Sequence, residues 1–252
     1  GRLVATEAAH ELFAEVAEVY SRLGRLSRAA RNIGARKGGH LRVAVLPSLG
    51  LVVAPRAVAR LRRTNPDVTF EITTLHSREV ERSLFERECD VAIGYRVVRQ
   101  VPLRQVPVGN AALVVVAPKG ELAGDAAPVA MEVLDGRDFI GLRDSGPLAD
   151  LFVNELTRLE IVPNEIVTSH TYYTALALVR EGQGVTVTDA YTAAALSAPD
   201  LTFHALAPDV RAPINAITLE DPPALALIEL FVEEMRAVMA EAMEAAPTGG
   251  AL

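Results

Sequence analysis

The sequence predicts an α/β protein in which two small α/β units follow a long N-terminal helix. After residue 39, strands of the buried type alternate with amphipathic helices, which indicates βαβ units and a largely parallel sheet. Half of the 252 residues are hydrophobic and 23% are charged, so the chain can bury a substantial core. The alternation restarts near residue 130, which predicts a second unit of the same kind.

The first 39 residues differ in pattern from the rest. Their apolar side chains recur at spacings of four and three, the seam of a heptad repeat: Leu12, Val16, Val19, Leu23, Leu26, Ala30 and Ile33. Thr6 can cap this helix, and Gly34 with the Gly38-Gly39 pair can end it. The narrow seam favours pairing with the same helix of a second chain. Docking on its own domain is the alternative.

The predicted elements after this helix fall into two sets. In the first unit, strands are predicted at 41–46, 68–74, 90–94, 103–108 and 111–117, with helices at 51–63 and 79–88. In the second, strands are predicted at 138–142, 165–169, 185–188 and 201–206, with helices at 130–134, 148–159, 172–181 and 191–196. A last strand at 214–219 and a helix opened by Pro222-Pro223 complete the chain.

The last strand and helix come too late for a compact second unit, so we expect the chain to return to the first unit. This gives a linker helix at 1–39, subdomain I at 40–117 and 213–246, subdomain II at 118–212, and a frayed tail at 247–252. Two crossings between subdomains form a hinge beside a cleft, and such clefts commonly bind small molecules.

Composition excludes several classes of protein. The net charge of −7 is opposite to that of a free-standing nucleic-acid binder, which needs basic residues to neutralise phosphates. Cys89 is the single cysteine and cannot form an intrachain disulfide, so it is either a small buried side chain or a redox sensor. No apolar run approaches the roughly 20 residues that span a membrane, and the N-terminus has no signal pattern. We expect a cytoplasmic protein without membrane contact.

Two strand-to-helix turns, at 45–50 and 141–147, combine serine with glycine at a predicted helix start. Free backbone N–H groups and the hydroxyls of Ser48 and Ser145 could bind a carboxylate there, although simple helix capping is the alternative for both. In open α/β sheets, ligands bind at the carboxyl ends of strands. Further candidates lie at such ends: Ser77, Tyr95, His170, Thr171, Thr188 and Asp189.

Two of these candidates have an equally plain structural role. His170 could be a capping or core histidine. Asp189 could cap the next helix or bind a ligand ammonium or guanidinium group, and the sequence favours neither. Catalytic patterns are absent: there is no dinucleotide or phosphate loop, no nucleophile elbow, and no metal-ligand spacing among the five histidines. We expect no cofactor, no metal and no catalytic residue, and Asp144, His170 and Asp189 are the only candidates for an enzyme.

Five segments resemble one protein family in order and spacing. They are Gly1–Ala8, Leu41–Val43 followed by Pro47-Ser48, Asn65–Val68, Cys89–Gly94 and Gly182–Val185. Together they are similar to LysR-type transcriptional regulators over nearly the whole chain. Gly1–Ala8 is similar to the end of the family's winged helix-turn-helix, so the DNA-binding domain is expected to be missing from this chain.

The resemblance implies a fold like the type 2 periplasmic binding proteins, with a small, carboxylate-bearing effector bound between two subdomains. It implies homodimers or homotetramers through the linker helix and regulatory domains, promoter DNA bound by the missing domain, and RNA polymerase as a further candidate partner. By motif, effector contacts fall on Pro47, Ser48, Leu49, Ser77, Ser145, His170 and Thr171. Thr188-Asp189-Ala190 resembles the branch that regulates opine catabolism. A solute-binding protein of a transport system is the alternative function.

Overall fold

The computed structural model describes Val16, Val19 and residues 38–97, 103–122, 128–142 and 146–244. Val16 and Val19 are both helical and are 41% and 55% exposed. The other residues of the predicted helix up to residue 37, the candidate Ser145 and the tail at 247–252 lie outside the described residues. Pairing of the helix between chains therefore stays a prediction.

The strands are short apart from one. In chain order they are β1 His40–Val45, β2 Thr69–Thr74, β3 Val91–Tyr95, β4 Leu103–Pro118, β5 Val129–Ala130, β6 Asp138–Leu142, β7 Asn164–Ser169, β8 Thr186–Asp189, β9 Leu201–Ala207 and β10 Arg211–Leu219. β3 and β8 are buried at every residue, which accounts for their near-continuous apolar or small side chains.

The helices alternate with the strands except around β4 and β10. They are α1 Pro47–Leu51, α2 Val53–Thr64, α3 Val80–Phe85, α4 Pro147–Arg158, α5 Tyr172–Arg180, α6 Ala190–Ala195 and α7 Leu225–Glu244, with 3-10 turns at Ser77–Glu79 and Met131–Leu134. Among the described residues, no helix is both long and apolar enough to cross a membrane.

One set of strands is centred on β1. Strands β2 and β3 flank β1 in parallel, β10 runs antiparallel to β3, and β4 runs antiparallel to β10 as far as Ala112. We call β1, β2, β3, β10 and this part of β4 the first strand group. Helices α2 and α7 pack together beside it, and the Phe70 and Phe231 ring centroids lie 6.0 Å apart.

From Leu113 onward β4 has different neighbours. It pairs antiparallel with β8 and β9, and β5 extends the sheet in parallel with β9. β6 pairs with β7 in parallel and reaches β8 through a bridge between Phe139 and Val185. Thr186 Oγ1 donates to the Ile140 carbonyl at 2.7 Å and fixes this contact. We call β5 to β9 and the end of β4 the second strand group.

The predicted break between two strands at 103–117 was wrong, because β4 is one strand of 16 residues. Gly109 pairs with Ile214 and Pro107 pairs with Asn215, so Val108 is an extra residue in a β-bulge. The bulge lies at the predicted break, so the ladder is irregular there but the strand continues. A further hydrogen bond, from Tyr191 Oη to the Asn110 carbonyl at 2.8 Å, ties this point to α6.

The expectation of a largely parallel sheet also needs correction. Pairings of β1 with β2 and β3, of β5 with β9 and of β6 with β7 are parallel, whereas those of β4 and β10 are antiparallel. β4 leads the chain from the first strand group to the second and β10 leads it back, so the two strands lie side by side in opposite directions. The resulting fold is a mixed α/β fold.

Candidate ligand-binding site

The two strand groups meet where β2, β3 and β6 end. At the start of α4, a Cβ atom built on Gly146 would lie 3.3 Å from Ser77 Oγ and 3.6 Å from Tyr95 Cδ2. Ser77 follows β2 and Tyr95 ends β3, so both belong to the first group, whereas α4 follows β6 of the second. The carboxyl ends of strands from both groups therefore face one space, as the position of sites in α/β sheets predicts.

An inner cavity of about 180 Å³ lies between α4 and the strands β6, β7 and β8. Its walls are mainly apolar. The apolar lining residues are Leu113, Phe139, Leu142, Leu148, Ala149, Phe152, Val153, Leu156, Pro163 and Val187, and the remaining ones are Gly141, Glu165, Tyr172, Thr188 and Asp189. Such a composition, with a few polar groups on an apolar wall, is typical of small-molecule sites.

An outer cavity of about 530 Å³ continues from the inner one toward the first strand group. The two cavities share the lining residues Gly141, Leu142, Ala149, Val153 and Glu165. The outer cavity is completed by Gly146 and Asp150 of the second group and by His76, Ser77 and Arg78, which follow β2. One ligand can thus contact both strand groups at once.

Two hydroxyl groups in this region are buried and have no hydrogen-bond partner among the residues that the structure describes. They are Ser77 Oγ, in the outer cavity, and Thr188 Oγ1, in the inner one. A buried polar group without a partner costs about 1–3 kcal/mol, and native proteins rarely leave one without a reason. A ligand with polar atoms would supply the missing partners.

Asp189 lies beside Thr188 and is 3% exposed. Its Oδ1 accepts hydrogen bonds from the backbone N–H groups of Tyr191 and Thr192, both at 3.0 Å, and its Oδ2 accepts from Thr192 Oγ1 at 2.7 Å. Asp189 therefore caps α6, one of its two predicted roles. Burial raises the pKa of its carboxyl above the ordinary value, and the three hydrogen bonds oppose that rise only in part.

Tyr95 belongs to the first strand group and lies beside Gly146, a lining residue of the outer cavity. It is 6% exposed, and burial, together with the negative charge of Asp189, raises the pKa of its phenol far above the ordinary value. Tyr95 therefore remains a neutral phenol, which can donate or accept a hydrogen bond.

The structure brings Ser77, Tyr95, Thr188 and Asp189 to the two cavities or to their border. Pro47, Ser48 and Leu49 begin α1, which packs against α6 behind Asp189, and neither cavity is lined by them. His170 and Thr171 lie between β7 and α5, and His170 is exposed and also lines neither cavity. Effector contact by all these residues stays a prediction.

Sequence reasoning missed Glu165, which lines both cavities. Its Oε1 accepts a hydrogen bond from Thr168 Oγ1 at 2.5 Å. A Cβ atom on Gly141 would lie 2.5 Å from the same oxygen, so only glycine lets the carboxylate rest on β6. Glu165 lies near the start of β7, whereas the rule for sites in α/β sheets points to the carboxyl ends of strands. The available signal was Gly141 of β6, which pairs with Thr168.

Metal chemistry finds no support in the described residues, because no group of three or more His, Cys, Asp or Glu side chains there could hold an ion. Cys89 is 5% exposed, and Ser83 Oγ donates to its Sγ at 3.4 Å. Burial raises the pKa of its thiol to about 11, which keeps it protonated at neutral pH. This favours the buried structural role of Cys89 over redox sensing.

The family model described as LysR substrate binding domain matches residues 34–240. The chain belongs to this family and contains the effector-binding region of a LysR-type transcriptional regulator. The resemblance to this family is thereby confirmed, and the model covers four of the five segments that carried it.

Among curated relatives, the HTH-type transcriptional regulator DgcR of Pseudoalteromonas sp is 30% identical over 235 residues, which are 93% of this chain and 81% of DgcR. The transcriptional activator protein LysR of Escherichia coli strain K12 is 23% identical over 237 residues, 94% of this chain and 76% of that protein.

Solved structures share the fold. Full-length CbnR, in complex with its target DNA, superposes with a TM-score of 0.74 at 21% identity and covers 94% of this chain and 83% of CbnR. The regulatory domain of CcmR from Synechocystis PCC6803, in complex with 2-PG, superposes with a TM-score of 0.68 at 18% identity. This match covers 80% of this chain and 97% of the CcmR domain. The predicted two-subdomain fold of the periplasmic-binding-protein type is confirmed by these neighbours.

Proposed function

We propose that this chain senses a small carboxylate-bearing metabolite in the joined inner and outer cavities. The observation that carries the proposal is the pair of buried hydroxyls without partners, Ser77 Oγ and Thr188 Oγ1, one from each strand group. Arg78 lines the outer cavity beside Ser77 and supplies positive charge for a carboxylate. Ser145, His170 and Thr171, and Pro47 to Leu49 behind α6, complete the proposed contact set by motif.

The effector would act by bridging the subdomains proposed at 40–117 with 213–246 and at 118–212. The change of partners along β4 at Leu113 and the return of the chain in β10 support a division of this kind. A ligand shifts such an equilibrium only by its difference in affinity between the two arrangements, typically 1–3 kcal/mol. The linker helix at 1–39 would transmit that difference to a partner chain.

Homodimers or homotetramers are part of the proposal. Val16 and Val19, two members of the heptad seam, are exposed on a helix in the single chain, as a seam that pairs with a second chain requires. Family membership favours a regulator over a solute-binding protein. We further propose that the chain catalyses no reaction and works in the cytoplasm, where a bacterium keeps its promoter DNA. Light scattering would give a dimer or tetramer for a regulator and a monomer for a solute-binding protein.

The test replaces Thr188 by Val, which has the same shape without the hydroxyl. Thr188→Val should raise the free energy of unfolding of the free protein by about 1 kcal/mol, because an unsatisfied buried hydroxyl is removed. It should also weaken the best ligand from a screen of carboxylic and amino acids by about fivefold to tenfold, the value of one hydrogen bond. Thermal shift measures the first effect and calorimetry the second.

Thr218→Val is the matched control. Thr218 is also buried, its Oγ1 also has no partner, and it lies in the first strand group on the lining of neither joined cavity. It should stabilise the protein to a similar degree and leave ligand affinity unchanged. Equal affinities for the wild type and Thr188→Val would count against the proposed site.

A further inference from the structure

The charged groups that line the inner cavity are both carboxylates. Among the described residues of its lining, Glu165 and Asp189 are the charged ones. Neither forms an ion pair with a cation in the described part of the chain: Glu165 accepts from Thr168, and Asp189 accepts from Tyr191 and Thr192. Asp189 is buried, whereas Glu165 is exposed, so water screens the Glu165 carboxylate in the empty cavity and a ligand that covers it removes this screening. A ligand cation would then compensate the negative charge.

Independent evidence for a bound polar group comes from Thr188. This residue is 1% exposed, lines the same cavity next to Asp189, and leaves its Oγ1 without a partner. A purely apolar ligand would fill the cavity and leave this hydroxyl unsatisfied. The occupant therefore carries a polar group at the end of the cavity formed by β8.

The position of Glu165 is fixed by its neighbours. Thr168 Oγ1 holds Oε1, and the absence of a side chain on Gly141 lets the carboxylate lie against β6 between the two cavities. Thr168 occupies one oxygen, so Oε2 can accept a hydrogen bond from a ligand. A carboxylate placed in this way binds an ammonium group through a charge-assisted hydrogen bond.

Charge also changes along the path through the cavities. Asp189 lines the inner cavity and Glu165 lines both cavities, whereas His76 and Arg78 line the outer one beside Ser77, together with Asp150. A molecule with an ammonium group and a carboxylate can place the ammonium near Glu165 and the carboxylate near Arg78. A simple carboxylic acid satisfies only the outer end.

We propose that the effector is an amino acid, not a simple carboxylic acid, and that the Glu165 carboxylate binds its ammonium group within the negative potential of Asp189. The inference rests on the proposed function and adds the chemical class of the effector. Glu165 is then the residue that selects for the amine, while the apolar wall of α4 accommodates the side chain.

The experiment compares each amino acid with the same molecule lacking its amine. Suitable pairs are leucine with 4-methylpentanoate, phenylalanine with 3-phenylpropanoate, and glutamate with glutarate, with both enantiomers of each amino acid. In thermal-shift and calorimetric titrations of the full chain, at least one amino acid should bind tenfold or more tightly than its partner. Amino acid affinity should also fall above about pH 9, where the ligand ammonium loses its proton.

Glu165→Gln tests the residue itself. It should weaken the best amino acid by about 10- to 100-fold, since a charged hydrogen bond contributes about 1.5–3 kcal/mol, and should leave any binding of the acid without the amine unchanged. Gly141→Ala should have a similar effect, because its methyl group displaces the flexible end of Glu165. Glu181→Gln, an equal change of charge at an exposed residue lining neither cavity, is the control and should change nothing.

The outcomes separate this inference from the proposed function. Equal binding of both members of every pair, or an unchanged amino acid affinity in Glu165→Gln, overturns the amine selection and leaves a carboxylate sensor in place. Failure of every compound to bind overturns both. Weakening by Glu165→Gln that is equal for amino acids and acids also overturns the inference, because it would mean a structural role for Glu165.

Discussion

Helices α2 and α4 have the same length of 12 residues but pack differently against their strands. α2 buries Val53, Ala54, Ala57 and Leu61 in the core of the first strand group. α4 buries only Leu148 and Phe152, and the inner cavity of about 180 Å³ lies beneath it. The apolar side chains of α2 thus pack into the core, whereas beneath α4 apolar surface of the second strand group lines a cavity. A ligand that fills this cavity would cover the apolar surface and supply the packing contacts that α4 lacks.

The largest expected effect comes from enlarging one alanine in each helix. Ala57 is fully buried, so Ala57→Leu should lower the free energy of unfolding by about 2 kcal/mol through overpacking. Ala149 lines both cavities, so Ala149→Leu should raise the free energy of unfolding by about 1 kcal/mol, because the added methyl groups are buried without displacing neighbours. Denaturant unfolding measures both changes.

Ala149→Leu should in addition abolish ligand binding, since the leucine side chain occupies the ligand's space. A destabilisation of similar size in both variants would show that the space beneath α4 is closed in solution, and the contrast between the two helices would then be lost.

Two aspartates with buried carboxylates provide a second comparison, in which the expected difference between the two variants is smaller. Asp90, in the first strand group, is paired with Arg42, whose guanidinium lies 2.6 Å from Asp90 Oδ1. Asp189, in the second, has no cation partner among the described residues. Asp90→Asn should cost about 2 kcal/mol at pH 7, because the half-buried Arg42 loses a charged hydrogen bond. Asp189→Asn keeps an acceptor for the cap and should cost far less.

The pH dependence of Asp189 has a defined sign. Because its pKa is raised in the folded state, the folded protein binds a proton more tightly than the unfolded one. The free energy of unfolding should therefore fall as pH rises from the ordinary aspartate value of 3.8 through the raised pKa. Asp189→Asn should lack this fall. Parallel stability curves for the two proteins between pH 4 and pH 7 would contradict the pKa direction.

The smallest effect concerns reactivity and leaves stability nearly unchanged. The thiol of Cys89, with a pKa of about 11 and 5% exposure, should resist an aromatic disulfide reagent at pH 7 until the protein unfolds. In Ala149→Cys the new thiol lines the cavities and should react within minutes, more slowly when the ligand is bound. Rapid labelling of Cys89 in the wild type would show that the first strand group opens as easily as the second.

The sequence predicted β1, β2 and β3 of the first group well because their signal is local. Leu41–Leu46 and Asp90–Gly94 are apolar runs, and they match β1 and β3 within one residue at each end. It predicted α4 within one residue as well, since the hydrophobic face of a helix is a local pattern. The sequence did not predict that the strands beside β4 run antiparallel to it. The pairing of β4 with β10 joins residues about 100 positions apart, such as Ala112 and Arg211, and no local pattern reports it.

Part of the candidate site was also predicted from local patterns in the sequence. Ser77, Tyr95, Thr188 and Asp189 follow the rule for strand ends, and they line or border the cavities. Glu165 and the cavity itself depend on how far α4 stands from β6, a distance that no sequence pattern encodes. The burial of Leu148 and Phe152 is predicted by their spacing, but the empty space between them and the sheet is not.

The continuity of β4 limits how the protein can respond to a ligand. A strand of 16 residues, hydrogen-bonded to β10 in one part and to β8 and β9 in the next, cannot bend sharply without breaking its ladder. A relative motion of its two ends would therefore be taken up by twist along the strand or at the bulge at Val108, where the ladder is already interrupted.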